Sequence, residues 1–317
     1  MRLHSKLPLS LLAVFLLHSA DLPEQIKKST FRADAGMVLV PVSVTDRSGK
    51  TIDGLHREDF AVYDDQVQQQ IVSFAREDSP VSVGVILDIS GSMRNTLSVA
   101  QDVAHTFFKT ANPDDEFFLL TVSTKPDAVS GFTTDVAALE ASVLGARSEG
   151  MTALIDTVYL GLRVTRKAKW PRRAMLILSD GIDNYSRYTK TELMRAALEA
   201  DVQLYTIAVN NPSAGFSGGG GIYRPVGALK PIDVARANQA GSLLEDLSNN
   251  TGGLHFAVDN GEQARAAAVK AAEALRNQYV IGYLAPDSDA SGKYHRIRVK
   301  AGVPHTRVSA RNGYYSR

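Results

Sequence analysis

Asp88, Ser90 and Ser92 stand at alternate positions where the apolar run Val83 to Leu87 ends, in the stretch SVGVILDISGSM. One carboxylate and two hydroxyls on a tight loop suit a metal-dependent binder, an enzyme, or a globular domain with a polar turn. Two more polar clusters fall at comparable places: Gly150-Met-Thr152 at the start of a helical stretch, and Ser179-Asp180-Gly181 after the apolar AMLIL. Each has a local explanation. Ser92 and Thr152 could cap helices, because a side-chain oxygen satisfies free amides of a first turn. Asp180-Gly181 could be a plain turn. The chain contains no cysteine, which removes disulfides, zinc–thiolate sites, iron–sulfur clusters and thiol nucleophiles together. Any chemistry here uses oxygen and imidazole.

The elements that must position these clusters follow from hydrophobic period. Val83–Leu87, Phe117–Val122, Ala174–Leu178, Val202–Val209 and Leu254–Val258 are apolar enough to be buried strands. Between them, Thr96–Ala111, Asp135–Leu144, Ala153–Val164, Thr189–Glu199 and Leu243–Asn249 read as helices. Strands of this kind spaced by helices predict an α/β fold with a mainly parallel sheet covered on both faces. In such sheets ligands bind beyond the carboxyl ends of the strands, where all three clusters fall. Before this core, Met37–Val44, Asp59–Asp64 and Gln70–Phe74 are strand-like. After it, the alanine-rich helix Glu262–Arg276 leads into Tyr279–Leu284, Tyr294–Lys300 and Arg307–Arg311. The two flanks are expected to pair into a small β module. Asn210–Gly221, NNPSAGFSGGGG, reads as an insertion without periodicity.

Taken in order, Asp88-x-Ser90-x-Ser92, then Thr152, then Asp180 resemble the metal-ion-dependent adhesion site of the von Willebrand factor A domain, with no position missing. The segments EGMTALIDTVYLGL and MLILSDGIDN resemble that family's threonine and second aspartate segments. The flanks VSVTDRSGKTIDGLHREDFAVYDDQVQQQIVSFARED and QYVIGYLAP are similar to a narrower group, the VWFA-related exported proteins abundant in acidobacteria. The resemblance implies a Rossmann-like α/β domain over residues 80–284, between a leader at 1–20, an N-terminal β segment at 21–79 and a C-terminal β segment at 285–317.

It also implies a metal held by Asp88, Ser90, Ser92, Thr152 and Asp180: the serines bind directly, Thr152 directly or through water, and Asp180 often through water. Oxygen donors select a hard cation, and a near-octahedral site retaining waters suits Mg²⁺, with Mn²⁺ or Ca²⁺ as alternatives. Mostly neutral ligands leave the ion with positive charge and an exchangeable position. The expected partner is therefore a protein supplying an Asp or Glu carboxylate. Two other classes stay open, a metal-assisted hydrolase and a structural subunit of an envelope assembly. Against the hydrolase, no His or Glu belongs to the motif set as a general base.

The remaining sequence mostly excludes. A formal net charge of +1 over 317 residues is not that of a nucleic-acid binder. Arg2, His4 and Lys6, then the apolar Leu7–Leu17 and the small Ser19-Ala20, read as a secretory leader cleaved near Ala20, with an uncleaved anchor as the alternative although the run is short for a bilayer span. The mature chain is expected to be exported, periplasmic or extracellular, without an integral span. Gly215-Phe-Ser217-Gly-Gly219 fits a nucleophile-elbow pattern, but it lies in a glycine run and not between strand and helix. Asp287-Ser-Asp289 opens like an EF-hand, yet Arg298 stands where the closing Glu is required. His105 and His255 read as satisfied, partly buried histidines. The run Arg166 to Arg173 reads as cations at a helix end.

Overall fold

A computed structural model describes residues 36–77, 79–209, 242–286 and 292–316. The expected leader at 1–20, the insertion at 210–221 and most of the Asp287–Gly292 loop lie outside the described residues. In chain order the strands are β1 (Met37–Thr45), β2 (Phe60–Asp64), β3 (Val67–Gln69), β4 (Ser73–Glu77), β5 (Ser82–Asp88), β6 (Glu116–Val122) and β7 (Asp127–Ala128). There follow β8 (Arg173–Ser179), β9 (Gln203–Val209), β10 (His255–Val258), β11 (Gln278–Leu284), β12 (Tyr294–Ala301), β13 (Arg307–Ala310) and β14 (Gly313–Tyr315). The helices are α1 (Leu97–Phe108), α2 (Val136–Gly145), α3 (Leu154–Val164), α4 (Lys190–Ala200), α5 (helical over 242–251) and α6 (Gly261–Arg276).

The central sheet has the order β10-β9-β8-β5-β6-β7, parallel throughout except for the short β7. β5 is its pivot. The chain leaves β5 for β6 on one side and returns to β8 on the other, so the strand order reverses beside the carboxyl end of β5. Every residue of β5 is buried, because helices cover both faces. Val83, Val85 and Leu87 point into a cluster with α1, α2 and α6, while Ile86 joins Leu154, Val158, Leu193 and Leu244 from α3, α4 and α5. Gly84 is the exception that permits this packing: a Cβ there would stand 2.2 Å from the Phe118 ring.

The flanking strands build more than a small module. They form two four-stranded antiparallel sheets, β13-β1-β11-β4 and β14-β12-β2-β3, which pack through Val38, Val40, Val42, Val44, Phe60, Val62, Tyr279, Ile281, Tyr283 and Ile297. β11, inside the expected 80–284 unit, sits in this sandwich between β1 and β4. Its first six residues are all buried, so an interior antiparallel strand reads like a parallel core strand. The expected strand Gln70–Phe74 is displaced, since Val67–Gln69 pairs with β2 and Ser73–Glu77 with β11. Pro41 falls where β1 has only β11 beside it, β13 reaching no further than Val42, a position that spares a ladder bond.

Candidate metal centre

Asp88 is the last residue of β5 and is fully buried. Its Oδ1 accepts the amide of Ser90 (2.9 Å) and its Oδ2 the hydroxyl of Ser179 (2.5 Å). The loop that follows is a tight 3-10 turn, Gly91–Asn95, with Ser90 at its head. That curvature sets the hydroxyls of Ser90 and Ser92 3.0 Å apart. Ser92 lies inside this turn, whose N-cap is Ser90, and the N-cap of α1 is Thr96, so the expected helix-cap role of Ser92 is not realised. The same holds for Thr152, because the N-cap of α3 is Ala153 and carries no side-chain cap bond.

Three loops are laced together around Asp88. Gly91 donates its amide to the carbonyl of Gly150 (3.0 Å) and Glu149 donates to that of Ile89 (2.7 Å), tying the loop of Ser90 to the one leading to Thr152. Gly150 adopts φ +80, and a Cβ there would lie 2.6 Å from Thr124 Oγ1. The position requires glycine on both counts. Thr152 is buried, and its backbone is fixed by Asn184. Its amide donates to Asn184 Oδ1 (2.9 Å), and its carbonyl accepts from the amides of Asn184 and Tyr185 (3.0 Å each). Asn184 belongs to the loop that carries Asp180, so the segments of Asp88, Thr152 and Asp180 are mutually bonded. A recess of about 370 Å³ beside them is lined by Ser123, Thr124, Lys125, Glu149 and Gly150.

The electrostatics of this point are unfavourable as they stand. Burial pushes the Asp88 carboxyl up to about 7, and the negative charge of Asp180 adds to it against the bonds from Ser179 and Ser90. Burial also raises Asp180, opposed by the Ile182 amide and the Ser92 hydroxyl. Asp180 Oδ1 accepts from Ile182 (3.1 Å), whereas its buried Oδ2 has no hydrogen-bond partner. Among the described residues neither carboxylate forms a salt bridge with a Lys, Arg or His. A fully buried carboxylate and a partly buried one with an orphaned oxygen, beside two hydroxyls, are a donor set that fits a hard divalent cation.

Residues 83–182 match the family model described as the von Willebrand factor type A domain. This stretch is a type A domain. Such domains commonly hold a divalent cation and often mediate protein–protein contacts. A comparison with curated proteins gave no match. Among solved structures, the chain is similar to the conserved hypothetical protein BatB of Bacteroides thetaiotaomicron (18% identity, 61% of this chain and 98% of that one, TM-score 0.47). It is also similar to a von Willebrand factor type A protein of Catenulispora acidiphila (12% identity, 81% and 72%, TM-score 0.48). A third is the vWF domain of the type V pili tip protein Mfa5 of Porphyromonas gingivalis (12% identity, 61% and 94%, TM-score 0.44).

Ser179, Asn184 and Gly150 act on the type A domain's polar centre yet were not among the expected ligands. The signal for Ser179 was its place at a strand end beside Asp180. Asn184 had none, since its bonds reach back 32 positions to Thr152. The two singled-out histidines are accounted for: His105 pairs with Glu140 (3.0 Å) and His255 with Thr206 Oγ1 (2.8 Å). Two members of the basic run have partners. Lys169 lies over the Trp170 ring, and Arg172 donates to the carbonyls of Ser79 and Leu275. No helix among the described residues is long and apolar enough to cross a membrane.

Proposed function

We propose that the chain is an exported, metal-dependent protein-binding module whose type A domain captures an acidic group of a partner through a divalent cation. Asp88, Ser90, Ser92, Thr152 and Asp180 would hold the ion, with Mg²⁺ the first choice for an all-oxygen set. When bound, the ion supplies a positively charged position open to an incoming Asp or Glu carboxylate. The observation that carries this reading is the pairing of Asp88 with Asp180: a fully buried carboxylate beside a partly buried one that repels it, the latter with an orphaned buried oxygen, and neither in a salt bridge among the described residues.

The surroundings suit a protein partner. Met151 and Tyr185 flank Thr152 in sequence and through its carbonyl, and both are exposed, as is Tyr188. Aromatic side chains and methionine are enriched in protein interfaces. Lys125 and Glu149 in the adjoining recess supply charges that select orientation rather than affinity. Affiliation with the VWFA-related exported proteins, and export itself, belong to the same proposal and rest on the flanking sequence and the leader-like first twenty residues.

Calorimetric titration of Mg²⁺ into wild type and Asp88→Ala tests the centre. Binding is expected in wild type and lost in the variant, with the circular dichroism unchanged; equal affinity in both sinks the assignment. A pull-down from native envelope or secreted material, in Mg²⁺ and in EDTA, then tests capture. A partner held equally in both conditions removes the metal from the function.

A further inference from the structure

A second cluster of ligating groups lies in the sandwich, on strands that the type A domain does not include. β2 ends at Asp64, and the β2–β3 hairpin turns through Asp65 (φ 45) and Gln66 (φ 73) before Val67. Positive φ at both central residues is the type I′ geometry of a two-residue hairpin. Across the ladder, Ile297 of β12 pairs with Asp64, and Arg296 donates its amide to Asp65 Oδ1 (2.9 Å). That registration delivers His295 to the two aspartates. One ligating atom from each of Asp64, Asp65 and His295 lies within 4.8 Å of the others.

The bonding is one-sided. Asp64 Oδ2 is committed, accepting the hydroxyls of Tyr283 (2.9 Å) and Tyr314 (3.0 Å). Burial and the bonds to Asp64 push both phenols upward, so they remain donors. Asp64 Oδ1 and His295 Nδ1 are the orphans: both are buried and neither makes a hydrogen bond. Asp64 is 1% exposed and His295 2%. The His295 ring is held flat against Tyr314, with centroids 5.0 Å apart and planes 18° apart.

A protonated imidazole serving as a simple counter-ion should aim its N–H at one carboxylate. His295 Nδ1 instead stands 3.4 Å from Asp64 Oδ1 and 3.3 Å from Asp65 Oδ2, aligned with neither. Those separations match the edge of a tetrahedron, ~3.3 Å for bonds of about 2.0–2.1 Å to zinc.

We propose that Asp64, Asp65 and His295 form a second divalent-cation site, taking a first-row ion such as Zn²⁺ through one imidazole nitrogen and two carboxylate oxygens. Mixed imidazole and carboxylate donors suit such an ion better than Mg²⁺. The two tyrosines orient Asp64, and Tyr314 the imidazole, as outer-shell partners do around metal ligands. The half-exposed Asp65 leaves a side open for entry and for a water as fourth ligand. The ion would clamp the hairpin near the start of the described chain to the strand near its end.

The test uses Asp88→Ala throughout, so that failure of the type A centre does not affect it. The full chain is stripped with EDTA and titrated with Zn²⁺ alone, then with Co²⁺ as a spectroscopic stand-in. One equivalent of Zn²⁺ should bind and raise Tm, and Co²⁺ should give the intense visible bands of a tetrahedral site. Asp65→Asn keeps the turn, because Asn tolerates positive φ, and leaves the buried pair intact. It should retain the metal-free Tm, lose the Co²⁺ bands, and weaken Zn²⁺ by more than about tenfold. His295→Gln should do the same to the metal response if it folds. Absence of any Zn²⁺ response in Asp88→Ala, or Zn²⁺ affinity unchanged by Asp65→Asn, overturns the proposal.

Discussion

Replacing Asp88 by Asn gives the sharpest consequence of its burial. In the metal-free protein the Asp88 carboxyl is pushed from 3.8 to about 7, first by desolvation and then by Asp180. The folded state therefore holds this proton more tightly than the unfolded one. Stability from this group is fully present below the unfolded value near 4 and is lost as pH rises through about 7. A shift of roughly three units corresponds to about 4 kcal/mol at its ceiling, and the raised Asp180 pushes in the same direction.

Urea unfolding in EDTA from pH 5 to 8.5 should thus show wild type weakening as pH climbs. Asp88→Asn, with the same shape and no charge, should keep only the smaller pH dependence of Asp180 and be the more stable protein at pH 8. Mg²⁺ should restore wild type at pH 8 and leave Asp88→Asn unchanged. A wild type whose EDTA stability is level across this range, or an Asn variant weaker than wild type at pH 8, would refute the reasoning.

Gly150→Ala must fit a Cβ 2.6 Å from Thr124 Oγ1 at φ +80. It should cost about 1–3 kcal/mol in thermal unfolding and weaken Mg²⁺ binding by displacing the loop of Thr152. Gln66→Gly should raise Tm modestly, because φ 73 suits glycine in a type I′ turn and the relieved left-handed strain outweighs glycine's larger loss of freedom. Tyr185→Asp should leave calorimetric Mg²⁺ affinity intact while abolishing metal-dependent capture of the partner, since its exposed ring contributes only to the docking surface.

The parallel core was legible because each element carried its own signal. The AMLIL strand, for example, extends only to Arg173–Ser179, and Ala153–Val164 loses only its cap residue. Part of the polar centre was legible for a related reason: Asp88, Ser90 and Ser92 sit on one loop, and the structure brings the two hydroxyls to 3.0 Å. Pairings across long separations left no such mark. Asp64 read only as the end of a strand, because the group it faces, His295, lies some 230 positions away and in register through β12. β11 misled for the opposite reason: its continuous apolar character records how deeply it is buried, not in which sheet. The displaced strand near Gln70 shows that β3 and β4 are defined by their partners in two different sheets more than by local alternation.

β1 pairs on one side with β11 and on the other with β13, both of which leave the ribosome long after it. Val42 meets Tyr279, about 240 positions later, and at roughly 5–20 residues per second that interval is on the order of 10–50 s. For all that time the apolar segment MVLVPVSVT has no strand to pair with. The α/β unit can condense from local βα contacts while the sandwich waits for the last strands. Order of synthesis and order of assembly thus run in opposite directions for β1, and a chain paused in that interval would expose an unpaired edge open to a holdase or to another copy.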